Sequence, residues 1–243
     1  MRAATRDMML FLLALSAGSA DAWSYLGLGH AFVANMTGNT VLLGIAAFQR
    51  NGDWLHPLIS LIAYVSGVAA ASCFTRKMRS GVLWSKAICA TLLFEALLLI
   101  VAEAGWVVLH GYAASSMRLN ILLAVVALAV GLQSGAMLQL NVPGIVTTYI
   151  TGTLTQLTSG LVRFGTDAGR RANGQREVQF EERLWMQFGV LAAYFLSAVL
   201  SGFLFRYLPQ AVGAFAAAPV IVVALCSGYF AWQPQASDDT PQS

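Results

Sequence analysis

Of 243 residues, 58% are hydrophobic and 10% are charged, against roughly 25% charged in an ordinary soluble domain. Apolar segments consume nearly the whole length, which excludes a separate soluble catalytic domain and leaves one membrane domain as the economical reading. The net charge of +3 comes from basic residues clustered in loops without interleaved aromatics, so nucleic acid is not an expected partner.

Arg2 and Arg6 precede the apolar run Met8 to Leu15 and the small residues Ala17, Gly18, Ser19 and Ala20, a pattern shared with cleavable signal peptides. The run continues as a spanning helix to Leu28 and has a partner in the second half, so it is expected to be retained. Phe32 to Phe48 is short for the roughly 20 residues that a crossing needs, and it carries Asn35, Thr37, Asn39 and Thr40. It reads as re-entrant or as a short crossing. His56 to Phe74 and Leu83 to Val108 are clear spans, joined by a basic loop with Arg76, Lys77, Arg79 and Lys86.

The second half runs from Leu119 to Leu140, breaks at Asn141-Val142-Pro143-Gly144, and resumes from Ile145 to Val162. A charged insertion, Arg163 to Arg183, holds five arginines and four acids and is expected to be soluble and cytoplasmic. Leu184 to Phe205 and Ala211 to Ala231 complete the spans, and residues 233–243 form a polar tail expected to be disordered. Cys73, Cys89 and Cys226 all fall in apolar runs, which argues for packing rather than disulfides or metal binding. His30, His56 and His110 sit near span ends without metal spacing.

Two blocks repeat in order. Residues 17–44 align with 131–158, pairing Thr37 with Thr151 and Gly38 with Gly152, while Leu61, Ala63, Tyr64 and Arg76 match Leu191, Ala193, Tyr194 and Arg206. The domain therefore divides into a first repeat, 1–110, and a second, 111–232, which contains the 163–183 insertion. Eight crossings would put nine Lys and Arg inside and five outside. Six crossings, with the two polar stretches re-entering, put eleven inside and three outside, and the positive-inside rule favours the latter. The expected fold is all-α, with about six transmembrane helices in two inverted-topology halves, each carrying a short polar re-entrant or broken helix.

The run Asp21-Ala22-Trp23-Ser24-Tyr25-Leu26, followed by Asn35-Met36-Thr37-Gly38-Asn39-Thr40 and echoed by Tyr149-Ile150-Thr151-Gly152-Thr153, resembles the signature of the YoaK family. These are bacterial membrane proteins grouped by a domain of unknown function. The resemblance implies a multi-pass inner-membrane protein of about six spans, and both termini are expected in the cytoplasm. It brings no substrate or reaction.

Asp21 lies inside the first span, where an ionisable group is expensive. It reads either as a proton-coupling or cation site, or as a structural hydrogen-bond partner of the polar stretch near Asn35 or Asn39. Its counterpart is Gly135, and Gln133 nearby is a polar partner from the other half. Thr37-Gly38-Asn39 and Thr151-Gly152-Thr153, with Asn35, Thr40 and Thr148, read either as helix breaks offering polar groups to a solute or as close packing sites. Glu95 is a second buried acid with no polar neighbours in sequence, and Glu103 is near enough to a helix end to snorkel. Tyr64 and Tyr194, on matched helices, read either as lining a path or as packing residues, with packing preferred, and Gly131 and Gly135, which form a GxxxG pair, are expected to pack.

No HExxH, phosphate-cradling glycine loop, GxSxG or CxxC is present, so neither catalysis nor a cofactor is expected. The expected function is a transporter or channel for a small polar solute or ion. The alternative is a membrane assembly or regulatory subunit that docks a cytosolic partner through 163–183. The lipid bilayer is the one obligatory partner, and a homo-oligomer is compatible with the sequence.

Overall fold

A computed structural model describes residues 3–49, 52–75, 86–109, 116–139, 150–167 and 174–231. Among the described residues the regular structure is entirely helical: α1 (Ala3–Gly27), α2 (Met36–Ala46), α3 (Leu55–Thr75), α4 (Lys86–Leu109), α5 (Ser116–Gln139), α6 (Ile150–Asp167), α7 (Gly174–Tyr207), a 3-10 turn (Pro209–Ala211) and α8 (Val212–Ala231). Among the described residues six stretches are long and apolar enough to cross a bilayer: Asp7–Gly27, Leu55–Thr75, Lys86–Val108, Met117–Leu138, Leu184–Tyr207 and Pro209–Tyr229. The chain is an all-α membrane protein. The Asn141–Gly144 break, His110 and the 233–243 tail lie outside the described residues.

Part of the charged stretch 163–183 is helical. It continues α6 to Asp167 and resumes as the first residues of α7 from Gly174, ahead of the apolar span that starts at Leu184. Arg176, Glu177, Gln179, Glu181, Glu182 and Arg183 are good helix formers with no proline among them, so an adjacent helix propagates through them at little cost.

Two crossings built alike hold the bundle. On one, α3 packs against α5, and a Cβ added at Gly131 would overlap the carbonyl oxygen of Tyr64. On the other, α1 packs against α7, and a Cβ at Gly18 would overlap the carbonyl oxygen of Tyr194. In each case glycine lets backbones touch, which replaces the hydrophobic drive that lipid cannot supply between helices. Ser201 adds a 2.8 Å hydrogen bond to Ser19 across the second crossing. Contacts Phe11–Gly189, Gly18–Tyr194 and Gly27–Phe205 make α1 and α7 parallel, and Tyr64–Gly131 with Val68–Gly135 do the same for α3 and α5.

α4 and α8 run antiparallel. Cys89 Sγ reaches the Ala224 carbonyl at 3.5 Å near one end, and Trp106 Nε1 donates to the Pro209 carbonyl at 2.8 Å near the other. Glu103 is half-buried, and its carboxylate lies against Gly213 at the start of α8, where a Cβ would overlap it. Outward faces such as Leu93, Leu97, Ile100 and Val101 on α4 are exposed and apolar, as lipid contact requires.

The segment from Gly29 to Gly52, which contains α2, begins and ends on one side. Gly29, just past α1, packs on His56 at the start of α3. The chain then dips until Val33, Ala34 and Asn35 reach the level of Asp21 on α1. From there α2 climbs back, and Ala46 packs on Gly52, three residues before α3. Its 11 residues span about 16 Å, half a hydrocarbon core. The first-half polar stretch is therefore re-entrant.

Candidate functional site

The dip between α1 and α2 sets a problem of unpaired backbone at bilayer depth, and two side chains solve it. Asp21, 4% exposed, accepts Val33 N–H at 2.8 Å, Ala34 N–H at 2.6 Å and Asn35 N–H at 3.3 Å on Oδ1. Its Oδ2 accepts the Tyr194 hydroxyl. Asn39, 0% exposed, accepts Phe32 N–H at 2.8 Å and donates to the Phe32 carbonyl at 2.6 Å. Ser60 on α3 donates to that same carbonyl. A carboxylate facing three N–H groups also complements the positive end of α2.

Asn35 is the N-cap of α2, its Oδ1 accepting Gly38 N–H at 3.1 Å. A Cβ at Gly38 would lie 3.0 Å from the Phe32 ring, so glycine lets that ring sit on the first turn. Thr40 returns its hydroxyl to the Met36 carbonyl at 2.9 Å.

The second half shares the frame but not the acid. Gly135 stands where Asp21 has its counterpart, and a Cβ there would come within 2.7 Å of Ala71 Cβ and 2.8 Å of the Val68 carbonyl. The α3–α5 crossing is too close to admit any side chain at that position. α6 packs on α7, with Gln187 Nε2 donating to Gln156 Oε1 at 3.2 Å. Thr153 is buried, while Thr151 and Gly152 are exposed at the first turn. Thr148 lies outside the described residues.

Between the first turns of α2 and α6 is a cavity of about 220 Å³, lined by Ala34, Asn35, Met36, Thr37, Tyr64, Ile150, Thr151, Gly152 and Tyr194. Among the described residues α2 packs only on α3 and α6 only on α7, so the two short helices are separated by this space. α6 runs from the level of Tyr194 to that of Gln187, away from the cavity, as α2 does on its own side.

Of the residues singled out from sequence, Asn35, Thr37, Thr151 and Gly152 come together at the cavity. Asp21 and Asn39 stand behind it as supports of the loop. Gly38, Thr40 and Thr153 are on the short helices but outside the lining, and Gln133 is in the bundle, donating to the Leu13 carbonyl at 3.1 Å. Tyr64 and Tyr194, for which packing was the preferred reading and lining a path the other, are both in the cavity wall. A polar-tipped residue kept at matched positions of the two halves was the signal for them.

The family described as a protein of unknown function, DUF1275, matches residues 9–226, from α1 into α8. The chain belongs to this family. It is also 38% identical over 156 residues to the UPF0700 transmembrane protein YoaK of Bacillus subtilis (strain 168), which covers 64% of this chain and 67% of that protein. No solved structure matches. For this DUF1275 member the match encloses the Asp21 support, both short helices and both tyrosines.

Proposed function

We propose that this DUF1275 protein is a transporter or channel for a small polar solute or ion in the bacterial inner membrane, with its site in the cavity between α2 and α6. The observation that carries the reading is the cavity's composition: Met36 and Thr37 line it together with Ile150 and Thr151, the residues that the repeat alignment pairs with them, and Tyr64 and Tyr194 are a further aligned pair in its wall. Two half-helices whose N-termini meet at a central site are a recurring plan in secondary transporters. The helix directions support inverted halves: α1 and α7 are parallel, α3 and α5 are parallel, and α4 opposes α8, so each helix of the first half opposes its partner in the second. A volume near 220 Å³ is below the roughly 300–1,000 Å³ of drug-sized sites, which points to an occupant of few heavy atoms. Hydroxyls and an amide line it, and these both donate and accept.

The test is uptake of a panel of small polar solutes and ions into proteoliposomes, with Thr37→Trp as the cavity-filling variant. A solute taken up by the native protein and not by this variant, with unchanged thermal unfolding, supports the reading. Equal uptake by both would remove the cavity from the path. The rival, a docking subunit, rests on the helical continuation of α7 ahead of its span. It gains ground if no panel member moves and deleting residues 165–179 abolishes the cellular role.

A further inference from the structure

Glu95 stands apart from the cavity, near the middle of α4. It is 0% exposed, and neither Oε1 nor Oε2 has a hydrogen-bond partner among the described residues. α4 packs mainly on α8 and α5, and more lightly on α3 and the 3-10 turn. The titratable groups on these elements lie elsewhere: Cys226 and Tyr229 towards the far end of α8, Arg118 in the first turn of α5, His56, Tyr64 and Cys73 on α3, and none on the 3-10 turn. On α4 itself Lys86, Cys89 and Glu103 are at least about 9 Å away along the axis.

The register of α4 and α8, fixed by Cys89–Ala224 and Trp106–Pro209, sets Glu95 opposite the stretch around Pro219 and Val220. Val220 is fully buried, and Pro219 interrupts the hydrogen-bond ladder of α8 at that level. An ionised carboxylate here would have no counter-charge and no donor, a situation costing several kcal/mol. A proton on the acid removes the charge.

We propose that Glu95 is a proton-binding site of the membrane domain, protonated in this packing and giving its proton to water when α8 bends at Pro219 away from α4. As the coupling group of transport it rests on the function proposed above, and the proton is then the coupling ion.

Infrared spectroscopy of the full-length protein in dodecyl maltoside micelles, which carry no ester carbonyl, tests it at neutral pH. The carbonyl band of a protonated carboxylic acid is expected in the native protein, shifting after transfer to D2O, and missing from Glu95→Gln. Glu95→Gln keeps shape and neutrality, so its thermal unfolding should match the native protein. Dicyclohexylcarbodiimide, which adds to protonated acids in apolar surroundings, should label Glu95 of the native protein as located by mass spectrometry, less as pH rises; this readout stands even if the variant fails to fold. A band unchanged in Glu95→Gln would mean an ionised Glu95 and overturn the proposal. A band that is lost in the variant but neither exchanges with D2O nor accompanies carbodiimide labelling would mean a locked structural proton, and would overturn it equally. None of these readouts needs a solute, so a negative uptake screen bears on the transport reading and a missing band bears on Glu95.

Discussion

Tyr194 on α7 donates its hydroxyl to Asp21 on α1, and that carboxylate's other oxygen holds the three backbone N–H groups leading into α2. One buried acid thus ties the α1–α7 crossing to the re-entrant helix, and Tyr194 carries the tie to the cavity wall. Asp21 is not among the residues that line the cavity, and both its oxygens are engaged by protein donors.

Replacing Asp21 by alanine strands three backbone donors and a hydroxyl, at roughly 1–3 kcal/mol per unsatisfied group before relaxation. We expect Asp21→Ala to destabilise the protein by about 3–5 kcal/mol and to lower its thermal unfolding temperature sharply in detergent. Asp21→Asn retains an accepting oxygen and should lose much less. Tyr194→Phe removes one partner only, and its effect should be non-additive with Asp21→Asn in a double-mutant cycle. An Asp21→Ala protein as stable as the native one would contradict the support role.

The membrane class and the short polar stretches were legible in the sequence because hydropathy and length constrain helices strongly in lipid. The partners of individual polar groups were not. Asn39 bonds Phe32 across a loop whose path no periodicity encodes, and Gln133 bonds a carbonyl on a helix 120 positions away. For Tyr64 and Tyr194 the sequence left packing and lining a path both open, because an aromatic ring in a membrane helix fits lipid, core or cavity equally well. That α6 continues to Asp167 and α7 begins at Gly174 was not legible either, because charge marks a stretch as polar without telling helix from loop.

Asn39 offers a sharper test of the loop. Its amide accepts from and donates to the same residue, so a side chain with acceptors alone loses one bond and sets oxygen against oxygen at the Phe32 carbonyl. Asn39→Asp is therefore expected to destabilise more than Asn39→Gly or Asn39→Ala at neutral pH, with Asn39→Ala costing about 2–3 kcal/mol. Thermal unfolding of the three variants gives the order, and Asn39→Asp ranking as the mildest would refute the two-way bond.

Glycines at the crossings should separate cleanly from glycines facing outward. Gly131→Ala and Gly18→Ala drive a methyl into the Tyr64 and Tyr194 carbonyls, an overpacking that costs about 1–3 kcal/mol or more. Gly202 has nothing within 4 Å of an added Cβ, so Gly202→Ala should be neutral or slightly stabilising in the same helix framework. Unfolding in detergent ranks them; equal effects at Gly131 and Gly202 would mean that the α3–α5 backbones are not in contact.

The re-entrant path of α2 makes a topological prediction. His30, at positive φ in the turn after α1, and Gln49, just beyond α2, are both exposed and flank a helix too short to cross. Single cysteines at these two positions, in a background lacking Cys73, Cys89 and Cys226, should react with a membrane-impermeant thiol reagent from the same side of sealed vesicles. Label at one from outside and at the other only from inside would make α2 a crossing helix. The halves would then no longer oppose one another, and the meeting of α2 and α6 at their N-termini would lose its basis. Same-side reaction fixes α2 as a half-helix, and a cysteine at Thr37 in the same background then reports whether water reaches the cavity from that side.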